Sequence, residues 1–149
     1  MTSGNRWHFR RRVKWGECDP AGIVYTPRFA EYVTEAHLAF FEHVFSAPPY
    51  EVFGPLQMAL PAKALVLEFK SSLRPNDWFE MQVIVGEIRN RTYTLDMTAR
   101  DDSGAALFDA KITLICLDCA TNKGAPIPQF VRSRLMEFHG GVGQPDRRG

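Results

Sequence analysis

Between Thr26 and Ser46, Phe29, Tyr32, Val33, Ala36, Phe40 and Val44 recur at three- and four-residue steps, the spacing of one helix face. Phe41 and Phe45 widen this stripe, so the helix must be buried over much of its circumference. Thr26 stands where an N-cap belongs, and Pro27 at the first helical position, where a missing N–H costs nothing. Ser46-Ala47-Pro48-Pro49 ends the helix. So apolar a helix needs a large covering surface, and the remaining chain reads as the strands that provide it.

Residues 6–16 mix charge with evenly spaced Trp7, Phe9, Val13 and Trp15, which predicts a first strand. The basic run Arg10-Arg11-Arg12 then reads as that strand's charged outer face. Residues 50–61 form an irregular connection with room for a short helical turn. Ala64–Phe69 is apolar, and Arg74-Pro75-Asn76-Asp77 is a turn. Phe79, Met81, Val83 and Val85 alternate with polar or outward positions, as do Tyr93, Leu95, Met97 and Ala99. Turns at Glu87–Arg91 and Asp101–Gly104 separate them, and Leu107–Leu117 is the last long strand. Short connections predict antiparallel pairing in chain order. Gln129–His139 reads as a closing helix and 140–149 as a frayed tail. The expected fold over 1–149 is one α+β domain, a five-stranded antiparallel sheet wrapped around a long central helix. Its open sheet edges favour pairing of copies.

At 149 residues the chain can bury a full core without disulfides or metals. A net charge of +1 gives no reason to expect nucleic acid, and no apolar run is long enough for a membrane span. No apolar stretch follows the arginines as an export signal requires, so the expected location is cytoplasmic. Cys116 and Cys119 have C-x-x-C spacing but lie at the end of a β-rich run without a second ligand pair, so no metal is expected.

The chemistry concentrates in Gly16-Glu17-Cys18-Asp19-Pro20-Ala21-Gly22-Ile23-Val24-Tyr25-Thr26-Pro27. Pro20 pushes Asp19 into extended backbone, which holds its carboxylate on a turn just before the helix start. A helix start offers unpaired N–H groups and partial positive charge, suited to an oxygen that gains negative charge. That combination is the minimum equipment for acyl transfer or ester hydrolysis, with Asp19 as nucleophile or as base on water. Gly22 either lets backbone approach a ligand or supplies a positive φ, and Thr26 acts through its main-chain N–H. Glu17 reads as a solvated carboxylate at the strand end; His37 and His43, away from the motif, read as structural or surface groups.

This layout and the Asp19-Pro20-Ala21-Gly22-Ile23-Val24 motif closely resemble the hot-dog 4-hydroxybenzoyl-CoA thioesterases of the Pseudomonas type, over about residues 8–137. The resemblance implies a hydrolase with Asp19 as catalytic carboxylate, Gly22 in the catalytic turn and the Thr26 amide polarising the thioester carbonyl. It implies that Arg89 and Arg91 hold the phosphates of coenzyme A, with Lys63, Arg74 and Arg100 as further candidates. It also implies an acyl-CoA partner, no cofactor beyond the substrate's own coenzyme A, and a homodimer assembling to a homotetramer with the cleft between subunits. Two departures bear on the substrate. Thr34, with Glu35 beside it, stands where the family has an Asp that recognises a 4-hydroxyl, and Tyr25-Thr26 replaces Trp-Tyr in the acyl pocket wall. The expected reaction is hydrolysis of an aromatic, hydroxybenzoyl-like acyl-CoA, with a short-chain aliphatic thioesterase or a non-catalytic acyl-CoA-binding module as alternatives. Short-chain enzymes of this type carry His where Thr26 stands, and a hydratase would want a His nearer Asp19 than His37.

Overall fold

The computed structural model describes residues 6–140. Strand β1 (Arg6–Arg12) leads through a 3-10 turn at Trp15–Glu17 to helix α1 (Arg28–Phe45). A short helix α2 (Pro49–Phe53), a second 3-10 turn (Gly54–Leu56) and strand β2 (Met58–Ala59) follow. Then come β3 (Ala62–Phe69), β4 (Trp78–Ile88), β5 (Thr92–Asp101) and β6 (Ala106–Ile115). Two short strands, β7 (Leu117–Asp118) and β8 (Lys123–Gly124), precede helix α3 (Gln129–Met136). The expected tail lies outside the described residues from 141 onward. No helix among the described residues is long and apolar enough to cross a membrane.

The main sheet is antiparallel throughout, in the order β1-β4-β5-β6-β3, and α1 packs on one face, giving the expected hot-dog α+β architecture. Alternation decides which face is buried. Phe79, Met81, Val83 and Val85 of β4 point inward with Tyr93, Leu95, Met97 and Ala99 of β5, while the residues between them face out. Against them α1 presents Phe29, Tyr32, Val33, Ala36, Phe40, Phe41 and Val44, all buried. Phe108 of β6 sits edge-on to Phe29 at 5.2 Å and also contacts Phe79 at 6.2 Å. Burying each such side chain contributes about 1.5–3 kcal/mol, so this interface holds most of the fold's stabilisation.

Three details differ from the sequence reading. The helix starts one residue later, with Pro27 in the cap position, because Arg28, Phe29 and Ala30 bond back to the carbonyls of Tyr25, Thr26 and Pro27. These i→i+3 bonds tighten the first turn, and the Thr26 hydroxyl makes no cap bond. Second, β3 pairs with β6, not with the next strand in sequence. The stretch between Phe69 and Trp78 is no hairpin: Leu73 is buried, its carbonyl accepts the Val24 N–H at 2.8 Å, and that of Asp77 accepts the Val13 N–H at 2.8 Å. It thus crosses the sheet end beneath the motif loop. Third, the last long strand breaks at buried Cys116, whose N–H goes to the Arg91 carbonyl, so that Leu117–Asp118 can join a small β2-β7-β8 sheet.

His37 is buried on α1, and its Nδ1 meets no partner among the described residues. Burial holds its pKa at about 4, below the usual 6.5, so the folded protein keeps it neutral. A group with a depressed cationic pKa destabilises the fold once the unfolded chain takes up its proton, that is, as pH falls from about 6.5 towards 4. Urea denaturation at pH 5 should therefore show about 2 kcal/mol less stability than at pH 7, and His37→Leu should flatten this difference. Phe108→Ala should cost about 3–5 kcal/mol in the same assay, while Phe130→Ala, on exposed ground, should stay within about 0.5 kcal/mol.

Candidate active site

The motif forms a closed loop between β1 and α1. Cys18 and Val24 make an antiparallel bridge, and the Tyr25 N–H donates to the Glu17 carbonyl at 2.9 Å. At the tip, the Gly22 N–H donates to the Asp19 carbonyl at 2.9 Å, a four-residue turn in which Pro20 fixes φ at the second position. Gly22 takes φ +82°, a conformation that favours glycine. The half-buried Asp19 accepts the Ala21 N–H on Oδ1 at 2.9 Å, an Asx turn that fixes its side chain. Its Oδ2 has no partner among the described residues.

The other limb of the loop ends at Thr26, whose N–H meets no acceptor among the described residues. A cavity of about 320 Å³ opens there, lined by Ile23, Val24, Thr26, Phe29, Phe69, Lys70 and the segment from Ser71 to Leu73. The structure thus brings Asp19, Gly22, Tyr25 and Thr26 together on one loop, with Tyr25 exposed beside it. The Cys18 thiol is pushed up by burial and then by the charges of Glu17 and Asp19, the opposite of what a thiolate nucleophile needs.

Glu17 is not solvated. It is buried, and its carboxylate receives Arg11 at 2.9 and 2.7 Å, the Lys14 N–H at 2.9 Å and the Tyr32 hydroxyl at 2.7 Å. Burial alone would raise its pKa, but the bonds from Arg11, the Lys14 N–H and Tyr32 outweigh it and hold it at about 2. Arg11 is held protonated above its usual value by Glu35, against desolvation, with further help from Glu17. Its guanidinium lies 4.7 Å over the Tyr32 ring. The middle arginine of the basic run therefore turns inward. Arg10 and Arg12 do face out and lie over the Trp78 ring at 4.8 and 5.8 Å. The strand's own alternation, Trp7, Phe9, Arg11, carried that signal.

The remaining residues separate. Thr34 is exposed and donates its hydroxyl to the Ala30 carbonyl at 2.9 Å. Both Glu35 oxygens accept from Arg11, at 2.8 and 2.9 Å, so this carboxylate is engaged by the protein. It also lines an apolar cavity of about 660 Å³ with Phe9, Leu38, Tyr50 and Leu60. Arg89, Arg91 and Lys63 surround another cavity of about 530 Å³, and Arg132 pins the turn by donating to the Arg89 carbonyl at 2.6 Å. Neither Arg74 nor Arg100 lines it; Arg100 donates to the Gly104 carbonyl instead. The basic cavity does not adjoin Asp19. The motif follows Arg12, which pairs with Trp78 at one end of β4, whereas Arg89 follows Ile88 at the other. At about 3.3 Å per residue, β4 separates the two ends by roughly 33 Å. His37 and His43 stand apart from the loop, the latter stacked on Trp7 at 5.6 Å.

The sequence profile described as the Thioesterase-like superfamily matches residues 13–135. No curated protein matches the chain. Among solved structures, a 1,4-dihydroxy-2-naphthoyl-CoA thioesterase from Synechocystis is similar at 19% identity and TM-score 0.81, covering 88% of this chain and 96% of that one. A gentisyl-coenzyme A thioesterase is similar at 21% identity and TM-score 0.76, covering 87% and 99%. A hypothetical protein from Staphylococcus aureus, in complex with CoA, superposes at TM-score 0.83 with 12% identity, covering 97% and 92%. At these identities the likeness shows the shared fold.

A Cβ added at Gly22 would meet no atom within 4 Å, so only backbone strain opposes it. Gly22→Ala should therefore cost about 1–2 kcal/mol in urea denaturation, with the denaturant slope unchanged.

Proposed function

The chain belongs to the thioesterase-like superfamily and is a thioester hydrolase, and from that premise we propose that it hydrolyses an aromatic, hydroxybenzoyl-like acyl-CoA to the free acid and coenzyme A. One observation carries the reading. Among the described residues, a single closed loop presents a carboxylate oxygen with no partner, Asp19 Oδ2, and an N–H with no acceptor, that of Thr26 at the start of α1. The thioester carbonyl accepts the Thr26 N–H, and the helix dipole adds to the stabilisation of its developing negative charge. Asp19 then either attacks the acyl carbon, giving a mixed anhydride that water hydrolyses, or takes a proton from the attacking water. The C–S bond breaks, and coenzyme A leaves as the thiolate.

Phe29 and Phe69, edge-on at 5.0 Å, form the apolar part of the cavity beside Thr26 and suit an aromatic acyl group. The names of two similar structures, a dihydroxynaphthoyl-CoA and a gentisyl-CoA thioesterase, carry acyl groups of that class. Thr34 is the proposed partner for a substrate hydroxyl, and Tyr25 part of the pocket rim. Arg89 and Arg91, with Lys63, offer forked and point-charge donors to the phosphates of coenzyme A. Because these stand at the far end of the sheet, the site needs a second copy whose basic end lies beside the motif. The sheet edges support that pairing: β1 displays Arg6, His8, Arg10 and Arg12, whereas β3 exposes Leu65, Val66 and Phe69. Two copies joined antiparallel along β3 bring opposite ends together, and exposed Leu38, Tyr50 and Leu56 offer a further face for pairing dimers into a tetramer. Three unpaired cysteines suit a reducing compartment such as the cytoplasm.

Thiol release across aromatic and aliphatic acyl-CoAs tests this. Asp19→Asn should lower turnover at least about a hundredfold with folding unchanged. Arg89→Ala and Arg91→Ala should each raise KM about tenfold or more while leaving hydrolysis of an acyl-N-acetylcysteamine thioester unaffected. Tight acyl-CoA binding with no turnover would replace the hydrolase with a binding module, and a preference for short aliphatic chains would overturn the aromatic substrate.

A further inference from the structure

Glu17 and Arg11 have no role in the reaction as proposed, and Glu17 can take none directly. Its buried carboxylate already accepts four hydrogen bonds, three on Oε1 and one on Oε2, from Arg11, the Lys14 N–H and the Tyr32 hydroxyl. The same residue nevertheless touches both reacting groups through the backbone. Asp19 lies two residues onward, and the Glu17 carbonyl accepts the N–H of Tyr25, whose neighbour Thr26 carries the amide that meets no acceptor among the described residues. Arg11 extends the clamp: it also donates twice to Glu35 on α1 and covers Tyr32, on the same helix. Strand, loop and helix therefore meet at one buried ion pair.

Stability alone does not call for this arrangement. Taking both charges out of water costs about as much as their attraction returns, and well-packed apolar groups often do as well or better. What apolar groups lack is direction. Four directed bonds fix the loop's position and angle, and misplacing a reacting group by about 1 Å can cost a hundredfold in rate. We infer that Glu17, held by Arg11 and Tyr32, is a positioning residue that sets the Asp19 carboxylate against the Thr26 amide, so that this clamp governs turnover and not substrate affinity. The inference rests on the thioesterase reading.

The test compares Glu17→Gln and Tyr32→Phe with the wild type, alone and in the Asp19→Asn background, using the best acyl-CoA of the panel. Glu17→Gln keeps shape and an acceptor oxygen but loses the charge that Arg11 grips. Its kcat should fall about ten- to hundredfold, with KM within about twofold of wild type. On top of Asp19→Asn it should lower the residual rate by clearly less than it lowers the wild-type rate, because only the Thr26 amide is then left to be positioned. Tyr32→Phe removes one bond and leaves the ion pair intact, so it covers the case in which Glu17→Gln does not fold; its kcat should fall about threefold or more, again at constant KM. Unchanged kcat per folded molecule, with only a lower melting midpoint, would make the pair an ordinary structural contact and overturn the inference. An equal fall with and without Asp19 would do the same. Turnover lost in Asp19→Asn but kept in both clamp variants overturns this inference alone; a wild type that cleaves no thioester overturns the thioesterase reading with it.

Discussion

The Arg11–Glu17 ion pair is where this fold is least forgiving. A carboxylate removed from water costs several kcal/mol, and that cost is offset only when the charge is paired and well hydrogen-bonded. Here it is: β1 supplies the guanidinium, the turn after it supplies the Lys14 N–H, and α1 supplies the Tyr32 hydroxyl. Strand, turn and helix must therefore be in place together, or a buried charge is left bare. The motif loop inherits its geometry from this. Its limbs close through Cys18 and Val24 and through Tyr25 onto the Glu17 carbonyl, so its shape follows from where Glu17 is held.

The sheet sets the scale on which the site can be assembled. Its antiparallel order puts the motif at the end where β1 meets the start of β4, and the Arg89–Arg91 turn at the other. A coenzyme A thioester reaching from Asp19 to both arginines of the same chain would have to run the length of β4. The two edges differ in a way that resolves this. β1 carries alternating outward basic side chains, which discourage strand addition, while β3 is the edge with exposed apolar residues on both faces. Phe69 belongs to that edge and also to the cavity wall beside Thr26, so the proposed pairing along β3 would also close the proposed acyl pocket.

Much of this was legible in the sequence, for definite reasons. The α1 face from Phe29 to Val44 and the alternating strands β4 and β5 follow from hydrophobic period, a signal each segment carries by itself. The turn at Asp19-Pro20-Ala21-Gly22 follows from local chemistry, and Gly22 does take the positive φ that one of its two readings required. Properties of strand order were out of reach. Nothing local says that β3 passes β4 to pair with β6, and that single fact decides which residues share an end of the sheet. Arg89 and Arg91 therefore stand a strand's length from Asp19 within one chain, a separation that fits the cleft between subunits implied by the resemblance. The two-residue strands β2, β7 and β8 have no period to read. Glu17 and Arg11 were a different kind of miss: Arg11 follows Trp7 and Phe9 at strand spacing, but three arginines in a row suggested a solvated face.

Under the proposed function, the hydrogen-bond inventory at Thr34 and Glu35 narrows the acyl group further than either residue's identity does. Both Glu35 oxygens accept from Arg11, but that one cation is shared with Glu17, so the group beside the expected recognition position is engaged while the cluster keeps a net negative charge. Thr34 donates to the Ala30 carbonyl, and while that bond is kept its oxygen is left to accept. A neutral phenolic hydroxyl on the substrate can supply the donor without disturbing the bond, whereas a phenolate or a carboxylate would need the Thr34 hydroxyl to turn away from Ala30. An Asp at this position would impose the same requirement through charge. Threonine keeps the directionality but gives up most of the strength, since a neutral pair is worth about half a charge-assisted one. On that proposal, recognition of the ring would fall more heavily on Phe29 and Phe69, and discrimination among hydroxylated aromatic acyl groups would be correspondingly broader.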